Sequence, residues 1–460
     1  MIHPRRVRKL NDASPPGGRY VLYWMQASQR AHWNHALEYA IEQANQLGRP
    51  IVAAFGLTDH YLDANERHYA FMLQGLAETR RQLASRGIRL VVRLGSPPEV
   101  ALQLAADACL LVCDRGYLRH QRQWRRQVAR RAPCPVVRVE TDAVVPVETA
   151  SPKQEYAART LRPRLHRTWE EYLKPVEHLQ PARDSLSLEL EGVDVSDAAE
   201  VLASLEVDRS VRSSDQYRGG YAEAKRRLQE FIDHRLKDYA EKRNDPSLGI
   251  QSDMSPYLHF GHISPLEVAW AVSADARHGR ENIDAYLEEL IVRRELSINH
   301  VYYNEQYDRY GGLPSWARAT LKKHKSDERP YVYTREQLEN ARTHDPYWNA
   351  SMREMRLTGK MHSYMRMYWG KKIIEWTNTP PTAFRWMLEM NNRWFLDGRD
   401  PNSYVGVAWC FGTHDRPWQE RPVHGTVRYM SAGGLERKFD IDAYLRQVEE
   451  LSEGQPGGGG

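Results

Sequence analysis

An α/β domain with a doubly wound, five-stranded parallel sheet, followed by an all-α domain, is the fold class that three features of this 460-residue chain predict. The first is length. A single hydrophobic core stops growing at roughly 250 to 300 residues, so a chain of this size calls for two domains. The second is a series of short, apolar, β-branched runs in the first third, separated by helical periodicity. The third is the loss of that alternation farther on, where amphipathic helical patterns take over.

The strand candidates are "RYVLYWM" (19–25), "IVAAF" (51–55), "IRLVVRL" (88–94), "ACLLVCD" (108–114) and "VVRVE" (136–140). Between the first two, "AHWNHALEYAIEQANQLG" repeats apolar residues at three and four spacing and stops at Gly48, as a crossover helix does. No glycine-rich phosphate loop follows the first strand. "WMQASQRAHWN" stands there instead, against a standard dinucleotide or triphosphate site. Residues 1–175 are therefore assigned to the α/β domain. Residues 176–215, polar and acidic in "SLSLELEGVDVSDAAEVLASLEVDRSVRSSD", form the interdomain linker. Residues 216–455 form the helical domain, and the glycine-rich 456–460 a flexible tail.

Hydrophobic residues make up 41% and charged residues 27%, and no apolar run approaches the ~20 residues of a membrane span. The basic start "MIHPRRVRKL" lacks an apolar signal core, so the cytoplasm is expected, with nucleoid association in a prokaryote. Cys109, Cys113, Cys134 and Cys410 are too few and dispersed for a disulfide framework and read as free, mostly buried thiols. Net charge is 65 − 60 = +5, which permits a polyanionic partner without demanding one.

Several segments of the second half carry chemistry. In "QSDMSPYLHFGHISPLE", Ser255–Pro256 and Ser264–Pro265–Glu267 read as two helix starts, the first with Ser255 as cap and the second of capping-box type. Free amides there, beside the Ser252 and Ser255 hydroxyls, suit a phosphate; plain capping explains them equally. In "YLEELIVRREL", Glu289 and Arg293 stand at i, i+4 and would pair on a surface, yet Leu290, Ile291 and Val292 leave little of that helix for solvent. "DGRDPNSYVGVAWCFGTHDRPWQERP" offers Asp397, Asp400, His414 and Asp415 as metal ligands, but its interleaved arginines oppose a bare cation, so no metal is expected. In "GKMHSYMRMYWGKKIIEW", Trp369 and Trp376 lie two turns apart, roughly 10 Å by helical rise and within electron-hopping reach. Trp348 in "DPYWNASMREM" can pack between them. Aromatics at such spacing also simply fill cores.

Together, "YLEELIVRRELSIN", "YAARTLRPRL", "THDPYWNASMREMRLTGKMHSYMRMYWGKKIIEWT", "LDGRDPNSYVGVAW" and "GTHDRPWQERPVHGTVRYM" resemble the class II cyclobutane pyrimidine dimer photolyases of the photolyase and cryptochrome superfamily. The chain departs from that pattern at His300 and His424, where Phe is usual, and at Thr426, where Lys is usual. The resemblance implies a flavin adenine dinucleotide (FAD) in the helical domain and light-driven splitting of dimers in ultraviolet-damaged DNA. It also implies a monomer, and leaves the first domain to hold a second antenna chromophore, deazaflavin or folate, or none.

By the same resemblance, Trp369, Trp348 and Trp376 are the inner, middle and outer members of a chain that photoreduces the flavin. Ser252 and Ser255 sit at the pyrophosphate, and Arg294 near the flavin. Asn391 faces the redox-active ring nitrogen, and Asp397, Asp400 and Asn402 are isoalloxazine contacts. Glu289 is the carboxyl at the dimer, with Glu288 as the alternative. Met367 and Trp409 line the dimer pocket, and Arg416, Arg428, Lys371 and Lys372 are phosphate contacts. Two other classes of function stay open at this stage. One is a cryptochrome-like light receptor without repair, the other a flavin-free DNA-binding protein whose aromatics are only core.

Overall fold

A computed structural model describes residues 2–15 and 17–453. The expected tail at 456–460 lies outside the described residues. Six strands form one sheet: β1 (Val7–Lys9), β2 (Tyr20–Trp24), β3 (Ile51–Leu57), β4 (Arg89–Leu94), β5 (Ala108–Cys113) and β6 (Val136–Val139), in the order β1-β6-β5-β2-β3-β4. The five strands read from the sequence are parallel to one another. Every residue of β2, β3, β5 and β6 is buried, as a sheet covered by helices on both faces requires.

The sixth strand is a correction. β1 pairs antiparallel with β6 through Val7, Arg8 and Lys9, too short and too polar to announce itself. It is anchored by Arg6, which is fully buried and donates to the carbonyls of Glu140, Ala143 and Val144 at 3.1, 3.0 and 2.6 Å. Part of the basic N-terminus is therefore structural.

The connecting segment is an ordered strap along the α/β half. Val193 N–H donates to the Val92 carbonyl at 2.7 Å, Glu66 N–H to the Asp208 carbonyl at 2.8 Å, and the helix Ala198–Ser204 buries Val201.

From Tyr221 onward the described residues are helical and loop. Sequence signals fix the ends of the helices. Asp345, Thr379 and Asp400 cap the helices Pro346–Thr358, Pro380–Trp394 and Pro401–Cys410, each with Pro in its first turn. Gly359 closes the first of these at φ 82°, a left-handed position that suits glycine. Ser264 caps Pro265–Ser273 as expected, accepting from Leu266 N–H at 3.2 Å. Replacing it with Ala should cost about 1 kcal/mol, read as a lower urea midpoint with unchanged slope.

The capping box does not form there. Glu267 instead accepts from the Tyr221 hydroxyl at 2.7 Å and pairs with Lys225 at 3.0 Å. Ser255 is not a cap either: it is the first residue of its helix, behind Met254.

The two halves are bolted together by one face of the helix Glu66–Ala84. Buried Arg67 donates to the carbonyls of Arg212, Met355, Trp394 and Arg356 at 3.0, 3.2, 3.0 and 2.5 Å. Asn65 Nδ2 donates to the Arg393 carbonyl at 2.7 Å, and His68 Nε2 lies 3.0 Å from that of Phe395. Among the described residues no helix is long and apolar enough to cross a membrane.

Candidate functional site

Three elements of the helical half converge on one guanidinium. Arg366, on the helix Ser363–Trp376, donates to Asp397 at 3.0 Å, to Asn391 Oδ1 at 2.5 Å and to Ser403 Oγ at 2.9 Å, and lies 3.8 Å from the Phe395 ring centre. Asn391 Nδ2 donates in turn to Ser403 Oγ at 2.6 Å and to Asn392 Oδ1 at 3.1 Å. Burial alone would raise the Asp397 carboxyl, but the Arg366 charge and the Ser255 hydroxyl outweigh it and hold the group below its ordinary value. Asn391, Asp397 and Ser255, singled out separately in the sequence, thus meet at one place.

Arg366 and Ser403 were missed. The signal was there: a lone arginine one helical turn before Trp369, on the face that Trp369 shares.

Ser252 closes the other side. It accepts from the Tyr286 hydroxyl at 3.1 Å, and the next residue, Asp253, holds a left-handed φ of 58° while pairing with Lys360 at 2.6 Å. One turn beyond Tyr286 comes Glu289, in a π-helical stretch, Glu288–Arg293. The wider π-helical winding changes the expected pairing. Arg293 contacts Glu288 at 3.2 Å, five residues back, and Arg162 grips Glu288 with two bonds of 2.9 and 2.7 Å. Glu289 is left with an ion pair to Arg243, at 3.7 Å, with 43% of its side chain exposed. Burial raises its carboxyl, Arg293 and Arg243 oppose the rise, and Glu288 adds to it. Of the two candidates, Glu289 is the one left available to a ligand.

The three tryptophans form one cluster. Trp348 Nε1 donates to the Trp369 carbonyl at 3.0 Å, and the Trp348 and Trp376 rings meet edge-on at 5.6 Å. Trp369 Nε1 is buried without a hydrogen-bond partner among the described residues. Trp376, expected as the outer member, is itself only 1% exposed. Met367 is half-buried beside Arg366, and Trp409 packs partly buried on the same core.

The phosphate-contact expectations divide. Arg416 is exposed, with its guanidinium 5.1 Å from the Trp418 ring centre. Arg428 is committed to Asp415 by bonds of 2.8 and 3.1 Å and lies between the rings of Trp409 and Trp418. Lys371 and Lys372 do not face solvent, which corrects that expectation: the stretch of their helix from Tyr368 to Ile374 is buried throughout. Lys371 is 0% exposed and donates to the Cys410 carbonyl at 2.5 Å, and burial lowers its ammonium to about 8. Lys372 is buried against Glu375 at 2.8 Å. His300 and His424 are buried packing residues, the first edge-on to His414 at 5.3 Å, the second to Tyr429 at 5.1 Å.

Arg294, Asp400 and Asn402 make other contacts. Arg294 donates to the Asp142 carbonyl at 2.5 Å and, with Asp400, lines a cleft between the halves. Asn402 is exposed and accepts from Ser297 at 3.0 Å. The cleft opens beyond the carboxyl ends of β2, β3 and β5, where the winding of the sheet reverses direction. Gln26 Nε2, Gln29 Oε1 and Arg115 Nε and Nη2, on residues lining it, are buried without hydrogen-bond partners among the described residues. The candidate metal ligands disperse: Asp397 to Arg366, Asp400 to its helix cap and Asp415 to Arg428.

A family model described as DNA photolyase matches residues 21–182. A deoxyribodipyrimidine photo-lyase of Methanothermobacter thermautotrophicus is 49% identical over 455 residues, covering 98% of this chain and 100% of that protein. One from Oryza sativa is 41% identical over 461 residues, covering 97% and 91%. An archaeal photolyase of Sulfolobus tokodaii, solved with two FAD molecules, superposes with a TM-score of 0.69 at 17% identity, over 95% of this chain and 91% of that one.

Proposed function

The chain belongs to the DNA photolyase family, enzymes of light-dependent DNA repair, and from that premise we propose that it splits cyclobutane pyrimidine dimers with FAD in the helical half. The observation that carries this reading is the Arg366–Asp397–Asn391–Ser403 cluster beside Trp369, whose buried indole N–H has no partner among the described residues. These donors and acceptors suit a flavin ring, and the Ser252 and Ser255 hydroxyls suit its pyrophosphate. When bound, FAD supplies the photochemistry, giving an electron to the dimer from its reduced form and drawing one from the protein in its oxidised form.

The chain's own residues do the rest. Asn391 holds a proton at the flavin edge, with Ser403 and Arg366 fixing its amide. Arg366 and Asp397 keep opposite charges in a fixed pair where charge develops. Glu289, protonated, donates a hydrogen bond to a pyrimidine carbonyl, and a base laid over its exposed flank removes water and raises the carboxyl further. Met367 and Trp409 line the pocket for bases that must leave the stack. Trp369, Trp348 and Trp376 relay electrons inward when the flavin is oxidised.

Arg416 contributes a phosphate contact, so Arg416→Glu should weaken binding of dimer-containing and intact DNA alike and flatten the plot of log affinity against log salt by about one unit. Binding titrations at several salt concentrations check this. The cleft beyond β2, β3 and β5 suits a second, planar chromophore with a polar edge, met by Gln26, Gln29 and Arg115.

The test is repair of a thymine-dimer oligonucleotide by the reduced, flavin-loaded protein, in blue light and in the dark. Light-dependent recovery of thymines is expected. No recovery with flavin bound would overturn the dimer assignment.

A further inference from the structure

From Arg115 to Val139 the chain sets eight arginines without one carboxylate, and the helix Arg119–Arg131 carries six of them. Most have a structural use. Arg115 and Arg138 pair with Glu148 at 3.1 and 3.3 Å, Arg119 with Asp308 at 2.7 Å and Arg131 with Glu99 at 2.5 Å. Arg122 donates to the Tyr302 carbonyl at 2.8 Å, and Arg125 is buried. Arg126 and Arg130 differ: both are exposed, and neither guanidinium has a hydrogen bond or an ion pair among the described residues. They stand at i, i+4, as do Arg122 and Arg126, so like charges repel along one stripe and weaken the helix slightly. Arg130, in the last turn, suits the helix dipole; Arg126, in the middle, gains nothing from it. With Gln123, Gln127 and Arg131 the two line a shallow groove along one helix face, at spacings of three and four. Among the described residues no large apolar side chain of this helix is exposed.

We propose, resting on the reading of the chain as a dimer-repair enzyme, that this face of the α/β half grips the phosphate backbone of the same duplex beyond the dimer's immediate flanks. A row of phosphates asks for cations and amide donors and for no apolar anchor, and Arg126, Arg130 and Gln123 meet that demand. A protein partner would need aromatic or aliphatic anchors, and a membrane surface an apolar flank; the face has neither. It is also separate from the dimer pocket. Arg122, one turn before Arg126, is fixed on Tyr302, and the helical run from Glu289 to Tyr302 spans roughly 20 Å by helical rise. That separation is about six base-pair steps. Arg126 and Arg130 each take a phosphate there, which relieves their mutual repulsion and gives a long duplex a second hold on the protein.

The test titrates the full-length, flavin-loaded protein in the dark with dimer-centred duplexes of about 10 and about 40 base pairs, at several salt concentrations. The parent should show the steeper salt dependence on the longer duplex. The double variant Arg126→Glu, Arg130→Glu should bind the longer duplex about tenfold more weakly and flatten its plot of log affinity against log salt by about two units. Binding and light-driven repair of the shorter duplex should stay as in the parent. Arg126→Gln with Arg130→Gln, which removes the charges without reversing them, should give the same flattening with a smaller loss, and it decides the matter if the Glu form does not fold. Equal salt slopes for the parent and both variants on the longer duplex would overturn the proposal. So would an equal loss on the two duplexes, which would put the arginines at the dimer pocket. Loss of binding to vesicles of anionic phospholipid, with DNA binding untouched, would overturn it in favour of a lipid surface. Failure of the parent to repair the shorter duplex would count against the dimer assignment instead, and the comparison of duplex lengths, which needs no light, would still decide this one.

Discussion

Trp369→Phe is expected to slow photoreduction of the oxidised flavoprotein by roughly tenfold or more, the factor that about 1.4 kcal/mol of added barrier imposes. Phenylalanine is far harder to oxidise than tryptophan, so the first hop inward is lost. The substitution is structurally mild, because Trp369 Nε1 has no hydrogen-bond partner among the described residues to forfeit. The smaller ring leaves a void costing about 2 kcal/mol, within the reserve of an ordinary domain. Repair by protein reduced chemically beforehand should change little, since that path does not draw on the tryptophans. Continuous illumination with a thiol donor measures the first quantity, and dimer repair after dithionite reduction the second. Parallel loss of both, with flavin fully bound, would place Trp369 on the repair path itself.

The second large effect is expected at Glu289. Glu289→Ala should lower dimers repaired per absorbed photon by about tenfold, the range for losing a hydrogen bond to a group that becomes charged. Affinity for dimer-containing DNA should move much less. The protonated carboxyl is the active form, and its value is raised by burial. The yield should therefore be flat in acid and fall as pH rises through that raised value, above the ordinary glutamate range. Glu289→Gln, which still donates a hydrogen bond but does not titrate, should retain more of the yield and show no fall. A pH profile of quantum yield for the parent and Gln forms settles it. An unchanged yield in Glu289→Ala would remove the role from this residue, and Glu288, held by Arg162 and Arg293, is poorly free to take it over.

The parallel strands were legible because strands buried on both faces read as continuous apolar runs. β1 was not, because its stability comes from Arg6 and from pairing with β6, both settled by contacts more than a hundred residues away. At the site, residue types were legible and their partners were not. Ser255 reads as a cap by every local rule, yet its hydroxyl serves Asp397, because a tertiary neighbour offers a stronger acceptor. Lys371 and Lys372 read as surface charges because helical charges usually are, but the middle of the helix Ser363–Trp376, from Tyr368 to Ile374, is enclosed by its neighbours. The i, i+4 spacing of Glu289 and Arg293, which would pair them on a regular surface helix, is set aside by local backbone winding, which side-chain spacing alone does not reveal.

The clamp formed by Arg67 has a consequence for biosynthesis. Its acceptor on Trp394 lies 327 residues downstream. At translation rates of about 5 to 20 residues per second, the helix Glu66–Ala84 waits roughly 15 to 65 seconds before that carbonyl leaves the ribosome. Through that interval the guanidinium stays hydrated, and the apolar surface meant for the helical half is bare. The first half thus emerges as a docking platform that depends on late arrivals, exposed to chaperones and proteases while it waits. The completed protein then gains a junction that closes last and holds both halves in one cooperative unit.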